Sequence, residues 1–162
     1  MSHSDSLTAT ILEFIRSIGL EVRLTTIDGE TFLPGITVQQ GAMVVDEARL
    51  LYPGDLLHEA GHLALMSGLD RRAGSGKLGD DGGAEMGAIA WSFAAATHLG
   101  LDASVVFHEY GYKGDGPWLA ETFRRGSYIG LPMLEWLGLA ARQEAIEQGA
   151  PPYPQLVHWL RE

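Results

Sequence analysis

The chain has 162 residues, 46% of them hydrophobic, which suits one soluble domain with one core, read here as residues 1–162. Twenty-one acidic against eleven basic residues give a formal net charge of -10, which argues against a surface that follows a nucleic-acid backbone. The absence of cysteine removes disulfides, thiolate metal sites and cysteine nucleophiles together, so any metal must be held by nitrogen and oxygen.

From Leu7 to Ile18 the apolar residues Leu7, Ile11, Phe14, Ile15 and Ile18 recur at spacings of three and four. With Ser4-Asp5-Ser6 ahead and Gly19 behind, this predicts an amphipathic helix. Val22 and Leu24 then alternate with polar neighbours, and Asp28-Gly29 offers the backbone of a tight hairpin turn. Ile36 and Val38 alternate again, Gln40-Gly41 turns, and Ala42 to Val45 continues as a strand, predicting a small antiparallel meander of about three strands.

After Pro53-Gly54, a helix is expected from Asp55 to Met66, with Asp55 near its positive end and Gly68 as its stop. The stretch from Gly68 to Gly83, rich in glycine, reads as a loop. Its Gly76-Lys77 does not make a phosphate loop, because Leu78 stands where Ser or Thr is required. Ala84 to Leu99 is the next helix, with small residues along it that let another helix approach closely. A Gly- and Tyr-rich segment, His108 to Gly116, precedes a helix from Trp118 to about Arg125. A further helix is expected from Pro132 to Gln148, and Gln155 to Leu160 should form a short turn or helix. The four tryptophans, Trp91, Trp118, Trp136 and Trp159, read as core or interface anchors.

No uninterrupted apolar run reaches the ~18 residues of a membrane helix, since Glu59, His62 and His98 interrupt the richest candidates. Met1-Ser2-His3-Ser4-Asp5 lacks the basic start and apolar centre of a secretory signal, so the expected location is cytoplasmic, without membrane or nucleic-acid partners. Arg71-Arg72 and Arg124-Arg125, the only basic pairs, read as solvated surface or local salt-bridge donors.

The chemistry concentrates in His58-Glu59-Ala60-Gly61-His62. On a helix with 3.6 residues per turn, the two imidazoles share one face and can share a metal, while Glu59 is turned toward a water beside it. Zinc in a catalytic site usually takes three protein ligands. Glu85 is the strongest candidate for the third, because it opens the next helix and can converge on the pair from an antiparallel neighbour. His98 points to nearly the opposite side of that helix. Asp80 and Asp81 offer oxygens from the loop, less pre-positioned than a helical ligand. Such a centre would activate water, with Glu59 as general base, for amide hydrolysis without a covalent intermediate. His108, Tyr110 and Tyr112 are candidate donors to the transition-state oxygen, against the alternative of a packed aromatic loop.

Leu56-Leu57-His58-Glu59-Ala60-Gly61-His62-Leu63-Ala64-Leu65 resembles the active-site helix of the ImmA/IrrE-type zinc metallopeptidase domain. Glu85-Met86-Gly87-Ala88 followed by Phe93-Ala94-Ala95 is similar to that family's second helix, and the order of helix, small sheet, histidine helix and glutamate helix matches. The resemblance implies an α+β, zincin-like domain with His58, His62 and Glu85 on Zn2+, Glu59 as the catalytic carboxylate and a peptide or protein substrate. Beyond Phe93-Ala94-Ala95 the chain departs from the family with Thr97-His98-Leu99-Gly100, and no helix-turn-helix module is evident. The alternative from another class is a non-catalytic zinc-binding regulatory or partner-binding module, which has no need of Glu59.

Overall fold

A computed structural model describes residues 2–75 and 81–162. Its first helix, α1 (His3–Ser17), begins ahead of the apolar repeat because Ser2 and Asp5 form a capping box. The Asp5 N–H donates to Ser2 Oγ and the Ser2 N–H to Asp5 Oδ2, each at 3.1 Å. Ile11, Leu12, Phe14 and Ile15 form its buried stripe.

Three strands follow, β1 (Val22–Leu24), β2 (Ile36–Gln39) and β3 (Ala42–Val45), in the spatial order β1-β3-β2. Gln40 and Gly41, both at positive φ, close the expected antiparallel hairpin between β2 and β3. The expectation of a wholly antiparallel meander is corrected at β1, which pairs parallel to β3, so the sheet is mixed. Asp28-Gly29 does not close a hairpin. The chain after β1 instead leaves the sheet and is pinned by Asp46, whose Oδ2 accepts the Ile27 N–H at 3.0 Å and whose own N–H donates to Gly35 O at 2.9 Å. Central β3 is buried at every residue.

The helices are α2 (Gly54–Leu65), α3 (Gly68–Ala73), α4 (Gly82–His98), α5 (Ala103–Val106), α6 (Gly116–Arg124), α7 (Leu131–Trp136) and α8 (Gln143–Glu147), with a 3-10 turn at Tyr112–Gly114. None described is long and apolar enough to cross a membrane. Several expectations change here. Gly68 opens a helix inside the anticipated loop, because Ser67 Oγ accepts the Asp70 N–H at 3.2 Å. Gly76-Lys77 and Asp80, from the rest of that loop, lie outside the described residues.

The single helix expected from Pro132 to Gln148 is two short ones. Gly138 takes φ 77°, and the N–H groups of Leu139 and Ala140 both fold back to Leu134 O. This lets Leu139 and Ala140 enter the core. The terminal 155–160 segment forms turns without a helix.

The core centres on α2 against α4, with Leu57, Ala60, Leu63 and Ala64 meeting the small-residue helix that carries Ala88, Trp91, Ala94 and Ala95. Gly61 sets the spacing, since a Cβ there would lie 3.0 Å from Ala88 O and 3.2 Å from the Trp91 ring. Gly54 does the same against α5, where a Cβ would fall 1.7 Å from Val105 O.

Arg71, expected at the solvated surface, is half-buried. Its guanidinium donates to Leu63 O at 2.8 Å, Met66 O at 2.9 Å and Arg161 O at 2.6 Å. Arg161 in turn donates its N–H to Ala64 O at 2.9 Å and its side chain to Leu65 O at 3.2 Å. Arg124 does act as a surface ion-pair partner, 2.6 Å from Asp102.

Asp102 caps α5 by accepting the Ser104 N–H at 2.9 Å. Hydrogen bonds from Ser104, then the Arg124 guanidinium, hold its carboxyl down at about 2. Its folded value lies below the ordinary 3.8, so its contribution is present above 3.8 and lost as pH falls through about 2. Asp102→Ala should cost about 1 kcal/mol, nearly all from the cap because the exposed pair is screened. Urea midpoints measured from neutral pH downward should show this gap narrowing in acid.

Candidate metal centre

One turn of α2 separates His58 from His62, and both rings face the start of α4. There Asp81 caps the helix by accepting the Ala84 N–H at 2.8 Å, placing Glu85 in the first turn. His62 Nε2 lies 3.2 Å from His58 Nε2 and 2.8 Å from Glu85 Oε2, and His58 Nε2 lies 3.3 Å from Glu85 Oε1. The group His58, His62 and Glu85 offers three ligand atoms all within 4.8 Å of one another and could hold a metal ion.

The competing third ligands fall elsewhere. His98 packs against the rings of Phe14 and Trp159, at centroid distances of 5.5 and 5.3 Å. Asp81 serves the helix cap.

The donor chemistry fits a cation. Two neutral imidazoles present lone pairs, a carboxylate adds charge, and such nitrogen and oxygen sets suit zinc among other divalent metals. Burial acts to raise the Glu85 carboxyl, but hydrogen bonds from His58 and His62, with the charge these rings carry when protonated and metal-free, outweigh it and hold the group well below the usual carboxylate range. Glu85 therefore stays an anion.

Glu59 is only 8% exposed, and its Oε1 is buried without a hydrogen-bond partner among the described residues. Burial pushes its carboxyl up, opposed by the nearby His62 and His58 and reinforced by the charges of Glu85 and Asp55. A carboxylate left this way beside a ligand cluster is costly to keep unless something polar engages it.

The segment after α5 closes over the cluster. The Tyr112 hydroxyl lies 2.9 Å from His58 Nδ1, and burial raises its phenol well above the usual value. The His108 Nε2–H donates to Asp55 Oδ1 at 2.7 Å, and Tyr52 stacks on His108 with centroids 4.3 Å apart. Burial raises the Asp55 carboxyl, while its bond to His108 works against the rise. Tyr110 stacks in turn on Tyr52 and is exposed. Of the three residues expected as transition-state donors, Tyr112 is engaged by His58, His108 by Asp55, and Tyr110 sits in the packed aromatic stack. The Asp55–His108 pair went unseen in the sequence, because nothing in its local spacing links residues 53 positions apart.

The cluster forms the floor of a cleft of ≈ 840 Å³. Phe32, Leu33, Tyr110, Trp118 and Ile129 supply apolar walls. Trp91 is a core anchor as expected, with its Nε1–H donating to Trp159 O at 2.9 Å. Trp118 is 57% exposed and lines the cleft.

No family model, curated protein or solved structure matches the chain. The resemblance to the ImmA/IrrE-type domain thus rests on its own residues, on the order of its elements and on the convergence of His58, His62 and Glu85.

Proposed function

We propose that the protein is a zinc-dependent metallopeptidase acting on a peptide or protein. The observation that carries this reading is the unpartnered Glu59 Oε1 next to a His, His, Glu ligand group at the base of an apolar-walled cleft. A purely structural site has no use for that carboxylate.

His58 Nε2, His62 Nε2 and a Glu85 oxygen would hold the ion. Zinc held there supplies Lewis acidity, which lowers the pKa of water and polarises an amide carbonyl. Glu59 Oε1 is the base that takes a proton from the attacking water and then delivers it to the departing amine nitrogen, so no acyl-enzyme forms. Its burial pushes the carboxyl up, the direction that strengthens it as a base. The apolar walls exclude water and receive side chains flanking the scissile bond.

The test is cleavage of a peptide library by protein loaded with zinc. Hydrolysis suppressed by a chelator and restored by added zinc supports the proposal. A protein that holds one zinc per chain and cuts nothing, over a library and a panel of folded proteins, belongs to the non-catalytic class.

A further inference from the structure

Asp81, Asp102 and Asp115 each stand immediately before a helix, and the first two use their side chains as caps. Asp81 accepts the Ala84 N–H of α4 and Asp102 the Ser104 N–H of α5. Asp115 holds the same position before α6, yet its side chain makes no cap. A capping side chain accepts from the second or third residue of the helix, and here the second is Pro117, which has no N–H to give. The Asp115 carboxylate has no hydrogen bond or ion pair among the described residues, and it lines the cleft that holds the metal group.

Trp118 is its neighbour. The Leu119 N–H donates to Asp115 O at 2.9 Å, so the helical path already runs from Asp115, and a residue three further on shares its face. Trp118 is 57% exposed and lines the same cleft. A carboxylate beside an exposed indole is the chemistry that receives an alkyl chain ending in a cation. The stem packs on the ring, and the charge meets the ring electrons and the carboxylate.

The rest of the lining has the matching sign. Asp55, Glu59, Asp81, Glu85 and Asp115 stand against Lys113, the only lysine or arginine on it among the described residues, in a chain of net charge -10. Lys113 is exposed and makes no ion pair with Asp115. With neutral imidazoles, a divalent ion on the ligand group would leave this lining acidic still. The buried, unpartnered Glu59 Oε1 in the same cleft points independently to a ligand there.

We propose that Asp115 and Trp118 form a subsite for a basic side chain, so that the substrate is a peptide carrying lysine or arginine close to the cleaved bond. This deepens the peptidase reading and rests on it for the cleavage, but the subsite can be read without metal or turnover.

The metal-free, 15N-labelled chain is titrated with capped Gly/Ala hexapeptides carrying one central lysine, norleucine or glutamate, and the Trp118 indole N–H is followed. The lysine peptide should bind ~5–20-fold more tightly than the norleucine peptide, which keeps the stem and lacks the charge, and the glutamate peptide should bind weakest. Added salt should shrink the advantage. Asp115→Asn, which breaks no cap, should remove most of it, and Asp115→Lys should turn the preference toward glutamate. In zinc-loaded protein, the library peptides that are cut should be enriched in lysine or arginine at one position, and that enrichment should fall in Asp115→Asn.

Equal affinity for the lysine and norleucine peptides overturns the proposal. So does binding of neither, or a lysine preference unchanged in the Asp115 variants. A library cut without a basic position overturns the subsite and leaves the peptidase reading standing. A lysine preference that depends on Asp115, in a chain that cuts nothing when loaded with zinc, supports the subsite and overturns the peptidase reading instead.

Discussion

Glu59→Gln should leave zinc content at one per chain while lowering kcat for peptide hydrolysis by ~10²–10⁴-fold, the range general-base catalysis supplies. The amide has nearly the shape of the carboxylate, so the fit of α2 in the core should survive. What it loses is the capacity to accept a proton at the position of Oε1, the buried atom without a partner among the described residues. Loss of rate without loss of metal separates the base from the ligands. The measurement pairs metal analysis with steady-state kinetics on a cleaved library peptide, and equal activity in the variant would remove Glu59 from the role of base.

His62→Ala should empty the site. His62 is the most buried of the three candidate ligands, and its Nε2 lies within 3.2 Å of both other groups. Removing a direct ligand should cost more than the ~10–100-fold typical of a supporting group, so the variant should emerge from purification with little zinc. His98→Ala, altering a histidine that packs on Phe14 and Trp159, is the control and should retain full stoichiometry. A His62→Ala protein with undiminished zinc would disprove the site.

The histidine pair was legible because its information is local. Spacing along one helix fixes which side chains share a face, and Glu85 could be reached by the same argument, since one antiparallel neighbour suffices to bring it near. What stayed hidden depends on contacts that no spacing encodes. Asp55 meets His108, and Tyr112 meets His58, across segments that share no periodic pattern. The sheet shows the same limit: alternation located β1, but a strand with alternating residues does not declare its partner, and Asp46 holding the Ile27 N–H turned an expected hairpin into a parallel pairing. Arg71 was misplaced for a related reason. Composition sends arginine to the surface, whereas free carbonyls at the end of α2 drew this one inward.

Those carbonyls bear on how sharply the metal group can be held. A helix normally frays over its closing turn because its last four carbonyls lack partners within it. His62 lies in that turn. Here the carbonyls of Leu63, Ala64, Leu65 and Met66 are all taken, two by Arg71 and two by Arg161. The closing turn behaves as a helix interior, so His62 keeps its aim without help from an ion. The residues that set this aim lie as far along the chain as position 161, a buckle fastened behind the ligand rather than around it.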